Sequence, residues 1–186
     1  MYGGVMARMA WLFALVCFGL IPERAHSEVP VRVTACQLLA DPGHYNHALV
    51  EVAGDVGHGF EDFTLTSGDC ADMNHGMGVW LEYGGRKASG TMYCCGVTRN
   101  RSRPKALIVE GVATQLEDDQ VFKNFDEIIQ KEPYAKARVT LVGRFFSGQP
   151  EKFPRGTAWV GYGHMGLFSL LVIEQVLSVT ALPVQN

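Results

Sequence analysis

The sequence predicts a mainly β protein: a small antiparallel barrel of five to six strands, with a short N-terminal helix and one helix near 119–131. Two observations predict this fold class. Several short segments alternate apolar and polar residues, which is the period of a half-buried strand. One segment instead places Phe122, Phe125 and Ile129 at spacings of three and four, which is the period of an amphipathic helix.

The N-terminal segment has the features of an export signal. A single charged residue precedes the apolar run 11–21, and this run is about half the roughly 20 residues that a membrane-spanning helix requires. Ala25 and Ser27 then place small side chains at the −3 and −1 positions of a signal peptidase site. We therefore predict a signal peptide at 1–27, a single mature domain at 28–186, and a periplasmic or secreted location. The alternative is an uncleaved membrane anchor.

The mature chain is mildly acidic. Cleavage removes Arg8, Arg24 and Glu23 from totals of 16 basic and 19 acidic residues, which leaves a net charge of −4. A general nucleic-acid coat or a polybasic membrane binder depends on positive charge to displace counterions or to meet anionic lipid. The composition therefore argues against nucleic acid as a partner.

Four of the five cysteines remain in the mature chain: Cys36, Cys70, Cys94 and Cys95. An even number of cysteines in an exported protein favours disulfides over free thiols. Four cysteines allow three connectivities, and the spacing leaves them open: Cys36 pairs with Cys70, or each of the adjacent cysteines is tied to a distant partner. No Cys-x-x-Cys is present, so a thioredoxin-like redox site has no support.

The first half of the mature chain predicts a short helix followed by strands. Thr34 followed three residues later by Gln37 is a capping-box pattern, and Pro42 ends the helix that it opens. The segment 49–56 then alternates valines with acidic residues, as a strand does. The segments 63–65 and 79–83 have the same period, so these strands form an antiparallel meander.

In the second half of the mature chain, the spacing of the apolar residues changes twice. A run rich in Val, Ile and Leu at 106–116 suggests another strand, the helix follows, and strands are predicted at 137–145 and 170–179. A helix between the third and fourth principal strands is the order of an OB (oligonucleotide/oligosaccharide-binding) barrel. In that assignment, 106–116 is an insertion strand or an extension of the third strand.

Four short motifs occur together in the mature chain: Cys-x-Leu-Leu-x-x-Pro at 36–42, Tyr-Asn at 45–46, Val-x-Val-x-Gly at 50–54, and a glycine-rich segment at 161–166. This combination resembles an uncharacterised family of secreted bacterial proteins. The chain departs from the family pattern at His47, where glycine is expected. The resemblance implies an OB-like fold, a bacterial envelope setting and a crosslink between Cys36 and Cys70, and it implies no activity.

The segment 86–105 is the candidate ligand-binding surface. No acidic residue lies between Glu82 and Glu110, so we expect a local positive field. A segment folded over the barrel face that OB domains commonly use can bind a phosphate, a glycan acid or an acidic partner protein. The simpler interpretation is a solvated loop pinned by Cys94 and Cys95. The basic residues of this segment are Arg86, Lys87, Arg99, Arg101, Arg103 and Lys105.

An alternative site is a soft-metal centre formed by Met73, His75 and Met77, together with His164. Thioether and imidazole ligands suit Cu(I), so copper or silver is the metal that this combination would select. Methionine more often fills gaps in a core. The competing interpretation of His164 is a buried or strand-start histidine whose ring is hydrogen-bonded to the backbone.

No catalytic motif is present. The sequence contains no His-Glu-x-x-His, no Gly-x-Ser-x-Gly and no phosphate-binding glycine loop, so a zinc hydrolase or a serine hydrolase has no footing. The acidic residues are scattered along the sequence, so a glycosidase that uses a pair of carboxylates has no support either. The sequence therefore favours a non-enzymatic binding module that contacts an envelope protein or an anionic envelope component. A soft-metal carrier and an uncharted hydrolase are the alternatives.

Overall fold

The computed structural model describes residues 28–59, 62–66, 70, 78–90, 101–131 and 134–183. The predicted signal peptide at 1–27 lies outside these residues. In chain order the strands are β1 (Val31–Thr34), β2 (Leu49–His58), β3 (Phe63–Thr66), β4 (Val79–Tyr83), β5 (Ile108–Val109), β6 (Val112–Ala113), β7 (Ala135–Phe146), β8 (Gln149–Phe153), β9 (Gly156–Val160) and β10 (Ser169–Ala181), and the helices are α1 (Ala35–Ala40) and α2 (Gln120–Gln130). No helix in this part of the chain is long and apolar enough to cross a membrane.

Five strands close into a barrel in the order β2, β3, β4, β10, β7, and β7 pairs back to β2. Helix α2 lies between the third and fourth of these strands along the chain. This is the arrangement of a five-stranded OB-like barrel, so the predicted fold class is confirmed. β1 adds a sixth strand beside the first half of β2, on the edge whose second half pairs with β3.

The expectation of a purely antiparallel barrel was wrong. β4 and β10 run parallel, as do β1 and β2, whereas the other barrel strands pair antiparallel. The parallel barrel strands β4 and β10 are separated along the chain by α2 and β7, and α1 lies between β1 and β2. A parallel pair needs such a long crossover, whereas hairpins give antiparallel pairs.

Both helices begin where the sequence predicts. The Gln37 backbone N–H donates to Thr34 Oγ1 at 3.1 Å, and the Thr34 N–H donates to Gln37 Oε1 at 2.8 Å, which completes the capping box of α1. Asp119 caps α2 by accepting from the Phe122 N–H at 2.8 Å. Phe122, Phe125 and Ile129 are buried, so the face predicted from the helical period closes the barrel core.

The barrel has a second apolar cluster on its outer surface. Along β4, Val79, Leu81 and Tyr83 point into the core, while Trp80 belongs to the outer cluster with Phe146, Leu170 and Val172. Leu107 and Val109 cover this cluster, so the insertion between β4 and α2 lies across the outer face of the third barrel strand. All five residues of β4 are therefore buried.

The predicted strand at 106–116 is instead a small hairpin, β5–β6, so the insertion alternative was right and the extension alternative was wrong. Its turn, Glu110-Gly111, has φ values of 48° and 81°, and positive φ at both central positions is typical of two-residue hairpin turns. The apolar run does not extend the barrel because its side chains cover the outer cluster.

A second hairpin, β8–β9, connects the fourth and fifth barrel strands and was not predicted. Nearly all of its residues are exposed, so neither face imposes an apolar period on the sequence. Its pairing runs from Gln149 opposite Val160 to Phe153 opposite Gly156. We call this hairpin the β8–β9 ribbon.

The Cys36–Cys70 crosslink implied by the family resemblance is confirmed. The two sulfur atoms are bonded, and the Cα atoms lie 5.2 Å apart, within the usual range for a disulfide. The bond ties α1 to the connection between β3 and β4. Cys94 and Cys95 lie outside the described residues, so their pairing stays a prediction.

Candidate binding cleft

A cleft of about 370 Å³ opens at the end of the barrel where β2 begins and β7 ends. Three connections meet there: the segment before β2, the turn of the β5–β6 hairpin, and the base of the β8–β9 ribbon. The residues that line this cleft are Asn46, Glu110, Ser147, Gln149, Val160, Gly161 and Tyr162. Residues up to 116 positions apart in the sequence are thus brought together by strand pairing.

The barrel itself fixes the floor of the cleft. The pairing of β2 with β7 continues beyond the strands, because the His47 N–H donates to the Phe145 carbonyl at 2.8 Å and the Phe145 N–H donates to the Ala48 carbonyl at 3.0 Å. The Ser147 N–H then donates to Asn46 Oδ1 at 2.9 Å. Sites built on rigid elements hold their geometry better than sites on free loops.

The base of the β8–β9 ribbon is fixed by a tryptophan. A Cβ added to Gly148 would lie 2.4 Å from Trp159 Nε1, so only glycine allows the indole to approach the backbone this closely. On the other side, Tyr162 and Phe168 exchange two backbone hydrogen bonds at 2.8 and 3.0 Å. These contacts set the position of the Tyr162 side chain in the cleft.

Glu110 is the centre of the polar network in the cleft. His47 Nε2 lies 2.6 Å from Glu110 Oε2, and the Tyr162 hydroxyl donates to Glu110 Oε1 at 2.5 Å. Partial burial alone would raise the pKa of Glu110, but hydrogen bonds from Tyr162, His47 and Asn46 outweigh it and lower the pKa. The carboxylate is therefore charged at neutral pH.

Two members of this network have left-handed backbone conformations. His47 has φ 64° and Glu110 has φ 48°, and such conformations cost a non-glycine residue on the order of 1 kcal/mol or more. A left-handed backbone at position 47 favours glycine, but the residue present is histidine, and its imidazole contacts Glu110. Strained residues of this kind are concentrated at functional sites.

No family model, curated protein or solved structure matches this chain. The OB-like assignment therefore depends on the order and direction of the barrel strands.

Three of the predicted basic site residues are bound to carboxylates of the same chain. Arg86 and Lys105 are exposed, and Arg99 lies outside the described residues. The positive field expected at 86–105 is thus partly neutralised within the described part of the segment. The ion pairs are Arg103 with Glu82 at 3.0 Å, Lys87 with Asp118 at 3.4 Å, and Arg101 with Asp126.

The Arg103 ion pair is buried. The side chain of Glu82 is 0 % exposed and that of Arg103 is 18 % exposed. Glu82 Oε1 also accepts hydrogen bonds from the backbone N–H groups of Tyr83 at 2.6 Å and Ser89 at 2.7 Å. Arg103 itself donates to the Tyr83 carbonyl at 3.1 Å. This arrangement fastens the insertion to β4, which is a structural role for Arg103.

The proposed soft-metal ligands are only partly within the described residues. Met73, His75 and Met77 lie outside them. His164 is half-buried and begins a short 3-10 segment, His164–Gly166, ahead of β10. Among the described residues, no group of three or more His, Cys, Asp or Glu side chains is arranged to hold a metal ion. The copper or silver site stays a prediction.

A second cleft of about 300 Å³ lies on the barrel wall, beside Glu117 and Glu174. Burial raises the pKa of Glu174, and the charge of Arg144 opposes that shift. Arg144 Nε lies 4.0 Å from Glu174 Oε1, and Arg144 Nη1 donates to Glu28 at 2.8 Å. Arg144 is thus shared between Glu28 and Glu174. We regard the first cleft as the stronger candidate, because there the side chains of separate segments form one hydrogen-bonded network.

His58, at the opposite end of the barrel, is expected to make the stability of the fold depend on pH. Burial lowers the pKa of His58, with smaller opposing effects from Asp62 and Asp126. Because the folded-state pKa lies below the unfolded value of about 6.5, the unfolded state takes up more protons as the pH falls, and stability decreases below that value. Urea unfolding at about pH 7.5 and about pH 5.5 should show this loss in the wild type and a smaller one in His58→Gln. An equal loss in both proteins would contradict the assignment.

Proposed function

We propose that the protein is an exported, non-enzymatic binding module of the bacterial envelope that binds its ligand in the cleft around Glu110. One observation carries this proposal: polar side chains from separate segments form a hydrogen-bonded network on the wall of a cavity. Ligand sites are concave, largely pre-formed, and have a few precisely placed polar groups. The network of Asn46, His47, Glu110 and Tyr162 fits that description.

The position of the cleft in the barrel supports the proposal. OB domains bind ligands through the face of their second and third strands and through the loops that flank it, including the connection between the fourth and fifth strands. Here the outer face of the third strand is covered by the insertion that contains Leu107 and Val109. The fourth-to-fifth connection is the β8–β9 ribbon, and its base lines the cleft.

The disulfide supports the export part of the proposal. Structural disulfides persist in oxidising compartments such as the periplasm and are rare in the cytosol. The Cys36–Cys70 bond agrees with the apolar run and the small residues that precede position 28. The family resemblance supports a bacterial envelope setting in the same way.

Binding of envelope components to the mature chain tests the proposal. The probes are purified peptidoglycan, lipopolysaccharide and vesicles of phosphatidylglycerol, each measured by co-sedimentation. We expect at least one probe to bind, and Tyr162→Phe to weaken that binding roughly tenfold, because it removes a hydrogen bond to a charged group.

Two control variants identify the surface that binds. Tyr134→Phe makes the same chemical change on an exposed side chain next to His58, at the far end of the barrel, and it should leave binding unchanged. Replacing Arg86 and Lys105 together with alanine tests the basic segment. Loss of binding in that variant, with full binding in Tyr162→Phe, would place the contact on the basic segment, and the absence of binding to every probe would contradict the proposal.

A further inference from the structure

The lining of the cleft contains one carboxylate, that of Glu110, and no lysine or arginine. The basic group in contact with that carboxylate is the imidazole of His47. The carboxylate is held by His47 and Tyr162 at 2.6 and 2.5 Å. An anionic ligand would approach this carboxylate with no lysine or arginine in the lining to attract it, and His47 is already in contact with Glu110, so an anion is unfavourable here.

The remaining hydrogen-bonding groups of the cleft both donate and accept. A carboxylate has about four acceptor sites, and hydrogen bonds from His47, Tyr162 and Asn46 use three of those on Glu110. The Ser147 hydroxyl, which belongs to a residue of the cleft lining, can both donate and accept a hydrogen bond.

The same groups argue against an ammonium ligand. An ammonium group only donates, so it would satisfy Glu110 but would offer no acceptor to the Ser147 hydroxyl. An alcohol both donates and accepts, so neighbouring hydroxyl groups can satisfy the free acceptor of Glu110 and the hydroxyl of Ser147 together. The amide of Gln149, whose Nε2 donates to Glu151 at 3.3 Å, leaves its carbonyl oxygen as a further acceptor.

The cleft also offers apolar surface and limited room. Tyr162 is half-buried and lies beside Phe146 with a ring separation of 6.4 Å, and Val160 is exposed at the rim. A hydroxyl-rich ring presents C–H groups that pack against such side chains. The volume of about 370 Å³ lies near the lower limit for ligand pockets, which suits a ligand of one or two rings.

We infer that the cleft binds an uncharged saccharide of one or two rings, whose hydroxyl groups contact Glu110 and Ser147. This inference depends on the proposed function and specifies its ligand class. It also replaces the anionic ligand expected for the segment 86–105 with a neutral one at a different surface.

Calorimetric titration of the mature chain tests the ligand class. The neutral probes are cellobiose, maltose and N,N′-diacetylchitobiose, and the charged probes are glucuronate, glucose 6-phosphate and glucosamine. We expect at least one neutral probe to bind, with each charged probe at least about tenfold weaker, equivalent to about 1.4 kcal/mol. Ser147→Ala should weaken binding of the neutral probe by a similar factor, while Tyr134→Phe should not.

Glu110→Gln separates charge from shape. This variant should bind the neutral saccharide more weakly. It should also reduce the difference in affinity between the neutral probe and glucuronate, because it removes the negative charge. Tighter binding of glucuronate, glucose 6-phosphate or glucosamine than of every neutral probe by the wild type would overturn the inference. If no saccharide binds but an envelope component does so in a Tyr162-dependent manner, the ligand class is wrong and the proposed function stands. If nothing binds in the cleft, both fail.

Discussion

Replacing Arg103 with methionine should lower the free energy of unfolding by about 3–5 kcal/mol. The variant leaves the buried carboxylate of Glu82 without its cationic partner, and removing one member of a buried ion pair is costly for that reason. Methionine keeps much of the side-chain volume, so the loss reports the charge more than a cavity. Urea unfolding of the mature chain measures the difference.

A matched control and a rescue make this result specific. Lys105→Met removes an exposed positive charge from the same segment and should change stability by no more than about 0.5 kcal/mol. Adding Glu82→Gln to Arg103→Met replaces the uncompensated carboxylate with a neutral amide and should recover much of the loss. Equal effects of Arg103→Met and Lys105→Met would show that Arg103 is a surface residue.

The second large effect is expected at the disulfide. Replacing Cys36 and Cys70 with serine should cost about 2–4 kcal/mol, because the bond closes a loop with a sequence separation of 34 residues and restricts the unfolded chain. Chemical unfolding of the oxidised wild type and of the double variant gives the difference directly.

The adjacent cysteines supply the control for this measurement. Treating the wild type with a thiol reductant should reproduce the loss that the double variant shows, whereas Cys94→Ser with Cys95→Ser should leave the Cys36–Cys70 contribution intact. A double variant as stable as the oxidised wild type would mean that this disulfide does not constrain the fold.

The strands of the barrel that alternate apolar and polar residues were predictable from the sequence. Val50, Val52 and Val56 are buried on β2, and their spacing of two residues or a multiple of two is visible without a structure. The same holds for β7, and the period of three to four residues in α2 arises from its contact with the core. The parallel pairing of β4 with β10 was not predictable from period, because both directions give the same alternation.

The β8–β9 ribbon was missed for the opposite reason. Its residues are exposed on both faces, so burial imposes no pattern on them. The β5–β6 hairpin has strands of two residues each, which is too short to establish a period. Its one local sign was the Glu110-Gly111 pair between apolar residues, since glycine in a two-residue connection is typical of hairpin turns.

The binding cleft was hidden because its members are distant in the sequence. Glu110 meets His47 and Tyr162 across 63 and 52 positions, and only the completed barrel brings them together. The two acidic residues that flank the basic segment, Glu82 and Glu110, are more informative about the cleft and the core than the arginines between them. Glu82 neutralises Arg103, and Glu110 organises the cleft.

Hydrogen–deuterium exchange of the mature chain, with and without a saturating envelope component, shows whether the ligand binds in the cleft around Glu110. We expect bound ligand to slow exchange at 46–47, 108–112 and 147–149 and at the base of the β8–β9 ribbon, 160–162, because these segments surround the cleft. Slower exchange confined to 101–105, with no change around Glu110, would contradict the proposed cleft and would show that the ligand contacts the basic segment.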